Sequence, residues 1–150
     1  MHNAMPEKIT IEKFREIKLK RELFNYVQSN VYLVGNVESM AIYSNPTFKC
    51  LMQILYFLTD DIAVDVLNSC YFIFPIRDHG MYIPAKHVSD RDVIVFNSFN
   101  EVTEEMIFKI MLHEIGHSYL KHRGPHKTKG RKQREIEASE WADRMIKIVY

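Results

Sequence analysis

The sequence predicts an α+β fold: a small mixed sheet packed by helices, with one long helix behind it. Three observations carry that reading. Helical periodicity fills the first and last portions of the chain, and short β-branched and aromatic runs fill the middle. The chain has 150 residues, 47% of them hydrophobic, which suits one core better than several. The longest apolar stretch, Cys50 to Leu58, is broken by Gln53 and falls well short of the ~20 residues of a membrane span. One domain over 1–150 is expected. Residues 1–79 form its helical and hairpin portion, and 80–150 form the part that carries the chemistry.

The elements follow in order. Thr10 can cap a helix over Ile11–Ser29, where Phe14, Ile17, Phe24 and Val27 recur at helical spacing. Val31–Val34 and Val37–Tyr43, joined by Gly35-Asn36, read as a hairpin. Asn45-Pro46 marks a turn before a helix over Thr47–Leu58, and Thr59-Asp60 can cap a short helix over Asp61–Asn68. Strands are expected at Cys70–Ile76, Met81–Pro84 and Asp92–Asn97, with turns at 77–80 and 89–90. A long helix, Thr103–His122, starts from a natural cap, carries Glu104 and Glu105 at its positive end, and is apolar on most sides through Met106–Leu120. Gly124-Pro125 stops it, and a last helix spans about Gln133–Val149.

Charge and cysteine usage narrow the function classes. With 20 Lys and Arg against 19 Asp and Glu, the net charge is +1, which argues against a general nucleic-acid coat. Cys50 and Cys70 are too few for a disulfide scaffold or a four-cysteine zinc site. The first residues lack the apolar core of a secretory signal, so a cytoplasmic location and free thiols are expected.

Within the long helix sits His113-Glu114-Ile115-Gly116-His117, an HExxH pattern. Two histidines four residues apart share one helix face, so both imidazoles can bind one ion. Zn²⁺ accepts neutral imidazole and suits three protein ligands plus water. Glu114 projects beside the ion, where a carboxylate can take a proton from zinc-bound water and later pass it to a leaving amine. The opposing reading is two hydrogen-bonded core histidines. Against it, polar groups in an apolar helix are costly without a task. Gly116 is costly in a helix interior by about 1 kcal/mol, which makes sense where backbones must pack closely.

A third ligand is needed. The extension HExxHxxGxxH is absent, because its last two fixed positions are Leu120 and Arg123. His122 and His126 would need a sharp return to the same face. The last helix is the better source. Nineteen residues separate His117 from Glu137, enough for a loop and an antiparallel return, and Glu137 and Glu140 share a face at i, i+3. Small Ala138 would allow the two helices to approach closely.

HEIGH followed by Glu135-x-Glu137-Ala138-x-x-Trp141-Ala142 resembles the ImmA/IrrE-type metallopeptidases, small gluzincins, over roughly residues 80–149. The resemblance implies a zincin-like fold with the HExxH helix behind the sheet and one Zn²⁺ per chain. It also implies the ligands His113, His117 and Glu137, and Glu114 as catalytic base. It makes Asp92–Asn97 the edge strand beside the substrate. Hydrolysis of a protein or peptide substrate, such as a regulatory protein, is the implied activity. Trp141 stands where the family more often has Phe, and residues 1–79 lack the helix-turn-helix that some members carry.

Other features compete for roles. Asp143 could buttress a ligand histidine, against the plainer reading of an exposed helix aspartate. Tyr82, His79, His87 and Tyr119 are candidate oxyanion donors. A cysteine could fill the fourth site of zinc, but a buried apolar thiol is the plainer reading. Segment 121–134 holds seven Lys or Arg and no acid, so the remaining chain carries 13 basic against 19 acidic residues. That segment is a solvated connector or a patch for nucleic acid or an acidic protein. The expected alternatives to a peptidase are a catalytically silent zincin-like binding module and a nucleic-acid-associated factor using the 121–134 loop. No membrane partner is expected.

Overall fold

A computed structural model describes residues 8–28, 31–33, 46–74, 81–83, 92–95, 103–121 and 130–150. Six helices and four strands lie among them: α1 Ile11–Leu19, α2 Leu23–Gln28, β1 Val31–Leu33, α3 Pro46–Phe57, α4 Asp60–Ser69, β2 Cys70–Phe74, β3 Met81–Ile83, β4 Asp92–Val95, α5 Glu104–Tyr119 and α6 Arg131–Val149. The expected α+β architecture, a small mixed sheet with helices, is the one observed.

α1 begins where the sequence places it. The Thr10 hydroxyl accepts a hydrogen bond from the Lys13 amide at 3.1 Å, and Phe14 and Ile17 go into the core. The helix does not run to Ser29. It closes at Lys20 with Arg21 N–H donating to Lys18 O and Glu22 N–H to Ile17 O, and Arg21 takes a left-handed φ of 58°. This is the Schellman closure, in which glycine is the usual residue. With arginine there the backbone is strained by about 1 kcal/mol. No Gly or Pro marked the break in advance. α2 then turns Phe24 edge-on to Phe48 of α3, with centroids 5.1 Å apart.

α4 starts at Asp60, one residue before the expected start, and Thr59 flanks it without a side-chain cap bond. Asp60 accepts from Arg15 at 2.8 Å and from Lys18 at 3.2 Å, which ties α1 to the start of α4. Asn68 bonds both the amide and the carbonyl of Ile9, holding the segment before α1.

The sheet order is β1-β2-β4-β3. β1 pairs parallel with β2 (Val31 with Phe72), an arrangement that α3 and α4 make possible by carrying the chain across. β2 pairs parallel with β4 (Cys70 with Asp92), and β3 closes antiparallel on β4 (Met81 with Val95). The expected hairpin of Val31–Val34 with Val37–Tyr43 lies largely outside the described residues, and its described part, β1, pairs with β2. One expectation changes: among the described residues β4 is an interior strand, and β1 and β3 are at the edges. Asp92, Val93 and Ile94 are all buried, so side chains on both faces of β4 are covered.

α5 is the central helix. The Thr103 hydroxyl accepts from the Met106 amide at 3.2 Å, and Ile107, Phe108, Met111, Leu112 and Ile115 are buried. It touches α3, α4, β3, β4 and above all α6. The two run antiparallel: Phe108 meets Tyr150 at one end, and His117 meets Glu135 at the other. Their close approach rests on two small residues. A Cβ added at Gly116 would stand 3.0 Å from Trp141 Cε3 and 3.5 Å from the Ala138 carbonyl oxygen. Both expectations, a glycine placed for close packing and Ala138 admitting the neighbouring helix, agree with this geometry. Among the described residues no helix is long and apolar enough to cross a membrane.

Two outcomes are expected. Gly116→Val forces a branched side chain into the buried Trp141 ring and destabilises the fold by about 1–3 kcal/mol, read by denaturant unfolding. The second concerns pH. The Asp60 carboxyl is held below its ordinary range by the Arg15 hydrogen bond and Lys18, against a smaller opposing effect of burial. A lowered carboxylate contributes stability above its unfolded pKa, about 3.9, and loses it as pH falls through the folded value. Asp60→Asn therefore lowers the melting temperature at pH 7, and the difference from wild type closes on acidification below about pH 4.

Candidate metal centre

The HExxH pattern falls on the third and fourth turns of α5, where the helix passes from the sheet side to α6. Four-residue spacing brings the two imidazoles together, edge to face, with ring centroids 4.8 Å apart. Their Nε2 atoms stand 3.2 Å apart. His117 is 6% exposed, and His113 is half-buried.

Glu135, from the first part of α6, meets both. Its Oε2 lies 2.7 Å from His113 Nε2 and 3.2 Å from His117 Nε2. The three potential donor atoms fall within 4.8 Å of one another, so this group can hold a metal ion. The carboxylate feels opposing influences. Partial burial pushes its pKa up, but attraction to His117 and the hydrogen bond with His113 outweigh it and hold the group ionised below the usual glutamate range.

Glu137, the expected third ligand, is not brought to the pair. Its Oε2 accepts from Gln133 Nε2 at 3.3 Å, along its own helix. Two residues separate it from Glu135, a rotation of about 200° around the helix, so the two acids cannot face the same neighbour. Glu140, the other candidate, is exposed and outside the cluster. The position of Glu135 three residues before Ala138 is the signal that would have found it: i and i+3 share a face, and Ala138 is what lets α5 come close.

A second contact went unanticipated. Ser139, one turn after Glu135, places its Oγ 3.0 Å from His113 Nδ1. With a metal on Nε2, Nδ1 would carry the proton and donate it to Ser139 Oγ, fixing the ring plane as the second nitrogen of a ligand histidine ordinarily does. Ser139 thus occupies the place offered to Asp143, which is exposed.

Glu114 projects into a cavity of about 300 Å³ between α5 and α6, lined also by Lys109, Ile110, His113, Ser139, Ala142 and Asp143. Burial raises its pKa. Attraction to His113 works against that, and repulsion from Glu135 adds to it. The result is a carboxylate that holds a proton more readily than an exposed glutamate, beside two imidazoles and within electrostatic reach of Glu135.

The end of α5 is anchored from beneath. Ser118, next to His117, donates to the fully buried Asp92 carboxylate at 2.6 Å, and Cys70 Sγ donates to Ser118 Oγ at 3.2 Å. Three buried polar groups thus satisfy one another across β2, β4 and α5. Cys70 is engaged there. Burial, with repulsion from Glu104, pushes the Cys50 thiol up to about 11, which keeps it protonated. Both agree with the buried-thiol reading. Tyr119 packs on Trp141 with centroids 5.5 Å apart. The side chain of Tyr82, and residues 79, 87, 122 and 126, lie outside what is described. So does most of the basic segment, whose first residue, Lys121, pairs with Asp65 at 3.2 Å.

Compared with known proteins, the chain matches no family model, no curated protein and no solved structure.

The geometry separates the two glutamates experimentally. Glu135→Gln is expected to weaken metal binding by more than about 100-fold, and Ser139→Ala by about 10-fold, in competition with a chromophoric chelator. Glu137→Gln is expected to bind as wild type. Equal losses for Glu135→Gln and Glu137→Gln would count against this ligand assignment.

Proposed function

We propose that the protein is a zinc-dependent peptidase of the gluzincin kind, acting on a protein or peptide substrate, with one Zn²⁺ held by His113, His117 and Glu135. The observation that carries the reading is the convergence of two HExxH imidazoles and a helix-borne carboxylate, beside a glutamate that lines an open cavity. The donor chemistry fits the ion. Two imidazole nitrogens and one carboxylate oxygen form a common zinc set, and separations of 2.7–3.2 Å come close to the roughly 3.3 Å edge of a tetrahedron with bonds of 2.0–2.1 Å. Three protein ligands leave one position open, as hydrolytic sites require.

When bound, the ion supplies Lewis acidity for the scissile carbonyl and lowers the pKa of an attacking water towards ~7. The rest falls to the chain. Glu114 accepts the proton of the attacking water and returns it to the departing amine, from its place beside His113 on the wall of the cavity. Ser139 orients the His113 ring through its contact with Nδ1. The ionised Glu135 offsets the cation's charge. Asp92 and Ser118 hold the turn that carries His117. The cavity beside Glu114 gives an extended substrate room against α5. The likeness of HEIGH to the ImmA/IrrE-type peptidases supports a peptidase, although that likeness implies Glu137 and not Glu135 as the third ligand.

The test pairs chemistry with metal content. Glu114→Gln is expected to retain about one zinc per chain by elemental analysis while losing about 10²–10⁴-fold in cleavage rate. A cell extract treated with zinc-loaded wild type should gain new protein N-termini, by mass spectrometry, that are missing with Glu114→Gln. No difference between the two would overturn the peptidase reading.

A further inference from the structure

Away from the metal-bearing helices, α1, α2 and the outer side of α3 enclose a groove of about 600 Å³. Its floor is Leu23, Phe24 and Met52. Its rim carries three large apolar side chains turned to solvent: Leu19 at 85% exposure, Tyr56 at 50% and Phe57 at 52%. Isolated exposed apolar residues are ordinary, but three around one concave surface form the kind of patch that soluble proteins reserve for a partner.

The patch is built, not left loose. The Lys18 ammonium donates to the Tyr56 carbonyl at 3.1 Å and stands over the Tyr56 ring, 4.9 Å from its centroid. Phe57 packs edge-on to Tyr56 at 5.1 Å. Gln53, which also lines the groove, donates to the Val149 carbonyl at 2.7 Å and so ties the wall to the end of α6. The left-handed Arg21 lies on the rim, and its exposed guanidinium makes no ion pair among the described residues. Strain spent on a charged residue at a surface rim, where glycine would relieve it, is a reason to look for a role in binding.

The charged residues that line the groove itself are both basic. Lys18 and Arg21 line it, and Arg15 lines the adjoining hollow of about 340 Å³. The one acid among the described lining residues, Asp60, is already engaged by Arg15 and Lys18. An apolar trough with a cationic rim complements a segment that presents apolar anchors with acids beside them.

We propose that this groove docks an acidic amphipathic peptide segment of a partner protein, with its apolar side chains over Leu23 and Met52 and its carboxylates at Arg21 and Lys18. The surface is separate from the metal centre and acts whether or not the peptidase reading holds.

The test uses the whole chain and a fluorescent synthetic peptide with Leu and Phe at i and i+4 and Glu between them, with anisotropy as the readout. Binding that weakens with added salt is expected. Replacing each Glu of the peptide by Lys should abolish it. Leu19→Ser should weaken it about 10-fold. Arg21→Gly removes the charge while relieving the backbone, so a similar loss with an unchanged or raised melting temperature supports the proposal without ambiguity from misfolding. Equal affinity for the acidic and basic peptides, or for neither, overturns it. So does concentration-dependent dimerisation that Leu19→Ser abolishes, which would make a second copy the occupant. Binding to phosphatidylglycerol vesicles that Leu19→Ser abolishes, with no peptide binding, would make it a membrane surface and overturn it equally.

Discussion

The contact on which the candidate site depends is the close packing of α5 on α6 at Gly116. The missing side chain there lets the Trp141 ring approach to within 3.0 Å of where a Cβ would stand, with the Ala138 backbone in ordinary contact at 3.5 Å. Every metal-directed contact follows from that approach. Glu135 and Ser139 sit one turn apart on the side of α6 that Ala138 leaves open, and each reaches a different nitrogen of His113. Widening the gap by the radius of a methyl group would take the 2.7 Å contact out of hydrogen-bonding and ligating range alike. A glycine that weakens its own helix is thus repaid by the helix pair it makes.

The second constraint is the cost of polar groups in an apolar setting. α5 carries His117 and Ser118 into the core, and β4 buries Asp92 completely. Each has a partner: Ser118 with Asp92 and Cys70, His117 with Glu135. A buried carboxylate without a donor would be strongly destabilising, and a buried hydroxyl less so, which is why such groups come as a set. The set has a mechanical consequence. It pins the last turn of α5 to the sheet, while the Gly116 contact pins its flank to α6, so the two imidazoles are held from two directions.

α3 joins this centre to the opposite surface. Its inner residues pack against α5 and α6, and Gln53 bonds the last turn of α6 while also lining the groove beside Tyr56. The sheet contributes rigidity more than chemistry. β4 is enclosed between β2 and β3 and so cannot be the strand that a substrate would extend; among the described residues the edges of the sheet are β1 and β3.

What the residues determined by themselves is local, because it depends on short-range geometry. Four-residue spacing places His113 and His117 on one face of any helix. Thr10 and Thr103 cap because a hydroxyl at that position reaches the amide three residues on. Unbroken β-branched and aromatic runs make strands. Gly116 announces close packing because a glycine inside a helix carries a cost that a close neighbour explains. The tertiary structure decided what depends on phase and partners. Glu135 and Glu137 are equally acidic and equally helical, and only the rotation of α6 against α5 selects Glu135. Arg21 breaks the first helix because the chain must turn there to bring Phe24 onto Phe48, a demand that overrides residue preference. β4 became interior because β3, though earlier in the chain, pairs on its far side. Sequence spacing fixes which side chains share a face; which face meets which neighbour is set by the packing of the whole core.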